Sequence, residues 1–190
     1  MAEYQLEPIN ALGLSETVDA EIGLVRIVEN NANSLASIAI RLGNEKKFSS
    51  SARKLLGFAL PGPGESASSK TYSAFWSAPN QWFVEASEKS HADIAHILKE
   101  ELAEMASVTE QTGGWCRFDI EGKTVTSMLE RLCMLDMAGM KAGAANRSVI
   151  EHIGVFLLCR REHEAISVYG PRSMADSLHH ALIAAAKSIA

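Results

Sequence analysis

The residues with the chemistry to act are scattered. Of the six histidines, His91 and His96 stand five positions apart, which puts them on different faces of a helix. His179 and His180 are adjacent and diverge by about 100° on an ideal helix. His152 follows Glu151 on a stretch read as strand, where neighbouring side chains point to opposite faces. His163 lies in a polar turn. Neither HExxH nor HxH occurs, so no spacing asks for a metal. The ordinary reading of each histidine is a surface or satisfied core residue. Cys116, Cys133 and Cys159 each sit among apolar neighbours, and no CxxC pair joins them. Buried, inert thiols are expected, not a disulfide scaffold or a zinc site.

Carboxylates offer little more. Asp119 and Glu121 share one face of a strand but read as solvated edge charge. Asp136 closes an apolar helix, and its expected role is to accept from backbone donors in the following loop. No GxGxxG follows a strand, no GxxxxGK[ST] is present, and no GxSxG occurs. The glycine-rich run Pro61-Gly62-Pro63-Gly64 lacks the backbone donors a phosphate nest needs, because its prolines remove them. These residues predict no catalytic, cofactor-binding or metal site in this chain. Core packing is the first reading of Trp76, Trp82 and Trp115. Aromatic and arginine anchors also dominate protein interfaces, so Trp76, Trp82, Trp115, Arg147 and Arg172 are the candidate partner surface. Arg160 and Arg161, like Lys46 and Lys47, read first as solvated pairs, although with Arg147 and Arg172 they flank the second-half strands and could also supply partner contacts.

The elements that must position these residues follow from periodicity. Residues 1–23 carry no sustained pattern and read as an extended segment. Residues 24–28 and 38–42 alternate as strands, with a turn at 30–33 between them. A short serine-capped helix over 52–56 stops at Gly57, and 61–66 is a loop. Tyr72–Trp76 and Trp82–Ala86 form a hairpin about Pro79 and Asn80. A helix over 91–106, with Ser90 as its cap, carries an apolar stripe from Ile94 to Met105. The second part gives extended segments at 108–111 and 115–120, a helix over 124–137, a bent strand over 149–159, a strand over 165–169, and a last helix opened by Ser173 with Asp176 in capping-box position.

Strand, helix, hairpin, helix thus occurs twice with a period of about 80 residues, too long for a solenoid unit. The fold class expected is α+β: two related halves, 24–106 and 107–190, packed into one domain with mostly antiparallel sheets covered by helices. Composition agrees, with 47% hydrophobic and 22% charged residues. A formal charge of -5 without a basic stripe excludes a nucleic-acid binder. The first ten residues hold Glu3 and Glu7 and no basic residue, and no apolar stretch is long enough to span a bilayer. The expectation is a cytoplasmic, non-membrane protein.

Several blocks resemble the gamma subunit family of heterotetrameric sarcosine oxidase. They are VTEQTGGWCRFD at 108–119, LERLCMLD at 129–136, NRSVIEHIGVF at 146–156 and YGPRSMADSLHHAL at 169–182, with LPGPG at 60–64 and WSAPNQW at 76–82 upstream. Together they cover nearly the whole chain. The resemblance implies a bacterial complex of alpha, beta, gamma and delta subunits that oxidises sarcosine to glycine. The one-carbon unit leaves as formaldehyde or methylene-tetrahydrofolate, and oxygen becomes hydrogen peroxide. It implies that the flavins, NAD, tetrahydrofolate and zinc belong to the alpha, beta and delta partners. The gamma family itself is similar to part of the folate-binding aminomethyltransferase fold, which contains duplicated α/β units. This sequence has no equivalent of the folate-contacting acid of that superfamily, so no catalytic residue carries over. Two alternatives accompany this expectation: a stand-alone folate-binding module, and the same subunit role in a complex that oxidises another N-methyl amino acid.

Overall fold

The structure, a computed structural model, describes residues 9–190. Eleven strands form two sheets, and every pairing among the described residues is antiparallel. In chain order the elements are β1 (Asp19–Ile22), β2 (Val25–Glu29), β3 (Asn33–Ile40), α1 (Glu45–Leu56), β4 (Ser66–Ser68), β5 (Tyr72–Ala78) and β6 (Gln81–Ser87). Two helices, α2 (Glu88–His91) and α3 (Ile94–Leu102), lead into β7 (Ala106–Glu110) and β8 (Trp115–Gly122). Then come α4 (Val125–Leu129), β9 (Ala145–Ile150), β10 (Ile153–Arg161), β11 (Ala165–Pro171) and α5 (Ala175–Lys187). The fold class is α+β with helix-covered antiparallel sheets. Among the described residues no helix is long and apolar enough to cross a membrane.

One sheet has the order β4-β5-β6-β3-β7 and the other β9-β10-β11-β8-β2-β1. The orders match strand for strand: β3, β4, β5 and β6 correspond to β8, β9, β10 and β11. The strands that precede β3 and β8 are exchanged. β2 leaves its own unit to pair with β8, and β7 leaves its own to pair with β3. Each unit therefore completes the other's sheet. Backbone bonds at the far side, from Ala145 N to Gly64 O at 2.8 Å and from Ser66 N to Gly143 O at 2.7 Å, tie the sheets together again.

Strict alternation makes three apolar layers from two sheets, because successive strand residues face opposite sides. Phe118, Ile120, Val155, Leu157, Ile166 and Val168 face outward and are sealed by α4 and α5 through Met128, Leu129, Leu178 and Leu182. Ala36, Ile38, Ala74 and Val84 face outward on the other sheet, under Phe48, Ala52 and Leu56 of α1 and Ile94, Leu98 and Leu102 of α3. Between the sheets lie Leu35, Phe75, Phe83, Phe156, Leu158 and Tyr169, with Trp115 at one margin.

Local chemistry moved several element boundaries. The extended N-terminal segment contains a true strand, β1, held by Arg26 on β2, which pairs with Asp19; residues 1–8 lie outside the described residues. The first helix begins at Glu45, so the serines read as caps lie within it, and Ser49 Oγ donates to Glu45 O at 2.8 Å. Its stop is as expected: Gly57 takes φ 84° and donates to Arg53 O. Asp93, not Ser90, caps α3 by accepting from His96 N. The helix expected to Met137 ends at Leu129 and unwinds into turns, yet Cys133, Met137 and Met140 remain on the core. The bent strand over 149–159 is a hairpin, turned by Glu151 and His152 at φ 45° and 69°. These are left-handed positions that asparagine and glycine usually mark, so the sequence gives no warning. No side chain caps α5; a 3-10 turn at Arg172–Met174 precedes it, and Asp176 occupies its first turn instead. At the end of β8, Gly122 has φ 139°, and a Cβ there would stand 1.9 Å from Leu24 O, so only glycine lets the strand pass the β1–β2 turn.

Candidate functional site

The inter-sheet layer carries charge as well as aromatic surface. Glu85 lies on β6 between Val84 and Ala86, both buried against the helices, so alternation points it at the opposite sheet. It is 5% exposed. Its Oε1 accepts from Ser73 Oγ at 2.6 Å and Arg160 Nη2 at 3.0 Å. Its Oε2 accepts from Tyr169 Oη at 2.6 Å and Arg117 Nη1 at 3.2 Å. Arg117 Nε donates to Asp119 Oδ1 at 2.8 Å, which also accepts from Ser167 Oγ at 2.6 Å. Asp119 Oδ2 accepts from Asn30 Nδ2 at 2.6 Å. Arg160 completes the circuit by donating to Ser167 Oγ at 2.9 Å and Tyr169 Oη at 2.8 Å. Two carboxylates face two guanidinium groups, so the circuit is neutral as a whole.

Burial alone would push the Glu85 carboxyl up; the charges of Arg117 and Arg160 and the hydroxyls of Ser73 and Tyr169 more than offset it and hold the group below the usual glutamate range. Burial and the adjacent Glu85 carboxylate push the Tyr169 phenol well above its ordinary value. Both oxygens of Glu85 are saturated, as buried charge requires if it is not to destabilise the fold. A carboxylate so engaged is a poor proton acceptor for any substrate.

The circuit opens at one end into a cleft of about 280 Å³. Asn30, Asn33, Leu35, Trp115, Arg117, Tyr169 and Arg172 are among its walls, and Ile9 and Glu88 stand at its margin. With its amide oriented to suit both neighbours, Asn33 accepts from Arg117 Nη1 at 2.7 Å and donates to Ala32 O at 3.2 Å. Trp115 lies edge-on to Phe83 at 5.2 Å, and its Nε1 donates to Gln111 Oε1 at 3.1 Å. Arg172 Nη2 holds the N-terminal segment through Ile9 O at 2.9 Å and Asn10 O at 2.8 Å.

Trp115 and Arg172 thus share one cleft. Trp76 and Trp82 face each other across the β5–β6 hairpin, where Trp82 stacks on Phe48 and donates from Nε1 to Pro61 O at 2.8 Å. Arg147 is exposed on β9 with its guanidinium 5.7 Å from the Phe156 ring centroid. The solvated reading fails for Arg160 and for Asp119, which belong to the circuit, and holds for Arg161 and Glu121, an exposed pair at 3.6 Å. Asp136 is exposed but plays the expected loop role, accepting from Gly139 N at 2.9 Å.

All three cysteines are buried and free, and burial pushes the Cys116 thiol up to about 11. His91 is half-buried and packs edge-on to Tyr72 at 5.0 Å, while His96 is exposed and lies 3.2 Å from Glu100. His179 stacks on Phe118, and burial lowers its pKa. Among the described residues no three histidine, cysteine, aspartate or glutamate side chains converge as metal ligands would. Glu85, Arg117 and Tyr169 escaped the sequence reading, and Arg160 entered it only as a solvated or partner-facing charge. The one available signal was Glu85 itself, a charge inside the otherwise apolar stretch Trp82–Ala86.

No protein-family model matches the chain, and no curated protein sequence matches it. Solved structures do. A chain of heterotetrameric sarcosine oxidase from Corynebacterium sp. U-96, solved in complex with pyrrole 2-carboxylate, superposes with a TM-score of 0.75 at 19% identity, covering 86% of this chain and 84% of that one. The fold is that of a sarcosine oxidase chain. The glycine cleavage system aminomethyltransferase T of Bartonella henselae superposes with a TM-score of 0.54 at 12% identity, over 82% of this chain and 44% of that one.

Proposed function

We propose that this chain is the gamma subunit of a heterotetrameric sarcosine oxidase, a cytoplasmic structural and assembly component that does not itself turn over substrate. The observation that carries the reading is the agreement in fold with a chain of such an enzyme over 86% of this chain. The sequence blocks that resemble the gamma family lie where this fold uses them. The block 108–119 supplies β8 with Trp115, Arg117 and Asp119, and the block 169–182 supplies Tyr169, Arg172 and α5. The polar centre of the molecule supports a non-catalytic role, because both oxygens of Glu85 are committed to bonds that join the sheets. Alpha, beta and delta subunits would carry the flavins, NAD, tetrahydrofolate and zinc. The complex would convert sarcosine to glycine with hydrogen peroxide and formaldehyde or methylene-tetrahydrofolate.

The test is biochemical. The purified chain is expected to be colourless and inactive, and to co-purify with flavin-bearing subunits when all four are co-expressed. Flavin absorbance or amine oxidation by the chain alone would overturn the non-catalytic assignment. Failure to associate with those subunits would overturn the assembly role.

A further inference from the structure

The inter-sheet cleft contains donors that the fold itself does not use. In the Arg117 guanidinium, Nε serves Asp119 and Nη1 serves Glu85 and Asn33, while Nη2 makes no hydrogen bond among the described residues. The side chain is 14% exposed and lines this cleft as well as a smaller hollow beside Asp119 and Arg160. Arg172 spends Nη2 on the carbonyls of residues 9 and 10, leaving its Nε and Nη1 unbonded among the described residues. The circuit behind Arg117 is already neutral, with Glu85 and Asp119 against Arg117 and Arg160. Arg172 adds a positive charge to the cleft without a salt bridge of its own among the described residues; the acids near it are the exposed Glu88 in the lining and the buried Glu29, which with Arg172 acts on Cys116. The rest of the wall is mixed: Leu35 and the Trp115 ring, whose own N–H is taken by Gln111, give it an apolar side, and Asn30, Asn31 and Thr112 a polar one.

We propose that this cleft binds a small monocarboxylate with a planar or apolar body. The carboxylate would accept from Arg117 Nη2 and the spare nitrogens of Arg172, and the body would lie against Trp115 and Leu35. Guanidinium donors suit carboxylate geometry and keep their charge when desolvated. A volume of about 280 Å³ admits a ligand of benzoate size. The inference concerns the chain on its own and stands independently of the subunit role.

The test uses the full chain, with benzoate as probe and benzamide as its neutral isostere. The readout is the indole N–H resonance of Trp115, assigned by its loss in Trp115→Phe. Benzoate is expected to shift that resonance saturably, with Kd on the order of 1 mM, modest as befits so small a ligand. Benzamide is expected to bind at least tenfold more weakly, and Arg172→Gln to weaken benzoate at least tenfold. Arg172→Lys, which keeps the charge but not the fork, should recover part of that loss. Equal binding of benzoate and benzamide, shifts confined to Trp76 or Trp82, no saturable shift, or unchanged affinity in a folded Arg172→Gln protein would each overturn the proposal.

Discussion

The outer layers and the layer between the sheets are held by different forces. Beneath the helices the contacts are mainly apolar: Phe118, Leu178, Leu98 and Ile94 are essentially inaccessible, and the buried carboxylate on that side, Glu29 at the end of β2, stands apart from any ion pair among the described residues and accepts from Ala11 N. Between the sheets, aromatic packing of Phe75, Phe83 and Phe156 shares the space with a circuit of four charged groups. Apolar burial is non-directional and tolerates small slips. Hydrogen-bonded charge is directional, and a misplaced partner costs the desolvation of the group left behind. The outer layers therefore supply most of the driving force within each unit, and the circuit fixes how the two units register against one another.

The comparison breaks most visibly with Glu85→Ala. Removing one partner strands Arg117 and Arg160, and a loss of about 3–5 kcal/mol is expected in urea unfolding. Leu98→Ala in an outer layer should lose about 2–5 kcal/mol by cavity formation. The two differ in what rescues them. Adding Arg117→Met to Glu85→Leu is expected to recover part of the loss, because it leaves Asp119 facing Arg160 in a neutral set. A double-mutant cycle measures that coupling, and strict additivity would mean that the circuit does not act as a unit.

Tyr169→Phe removes one donor to Glu85 and one acceptor for Arg160, and is expected to cost about 1–3 kcal/mol without altering the outer layers. The same circuit sets a two-sided pH window. Glu85 has a folded pKa below its unfolded value, so its contribution is complete above about pH 4.3 and is lost as pH falls through the folded value. Tyr169 has a folded pKa above its unfolded value, so its contribution is complete below about pH 10 and is lost as pH rises beyond it. Chemical denaturation across pH should show both limbs, and Tyr169→Phe should flatten the alkaline one. His179, lowered by burial, adds a separate loss below about pH 6.5 that His179→Gln should remove. The smallest effect, and a gain, is expected from Glu151→Asn with His152→Gly. The pair relieves the left-handed turn and should raise stability by about 0.5–1 kcal/mol, read as a higher Tm.

How much was legible in advance differs between the same two regions. The outer layers announce themselves, since Ile94, Leu98 and Leu102 recur at helical spacing and Val155, Leu157 and Cys159 alternate. The β10–β11 pairing and the long helices follow from such patterns. The inter-sheet circuit left one mark, Glu85 within an apolar strand. Arg160 looked like half of a basic pair, but a bulge between Cys159 and Arg161 breaks the register there: Arg160 reaches Glu85 while Arg161 pairs with the exposed Glu121.

By itself the sequence determined the element types, the duplicated order, the buried thiols and the glycine stop at Gly57, because each depends on residues close together in the chain. Tertiary structure alone decided the exchange of β2 and β7, the hairpin at Glu151 and His152, and the meeting of Glu85 with Arg117, Arg160 and Tyr169. Those pairings join residues 32 to 84 positions apart. Their energy comes from mutual desolvation once the sheets have closed, a condition that no local pattern records.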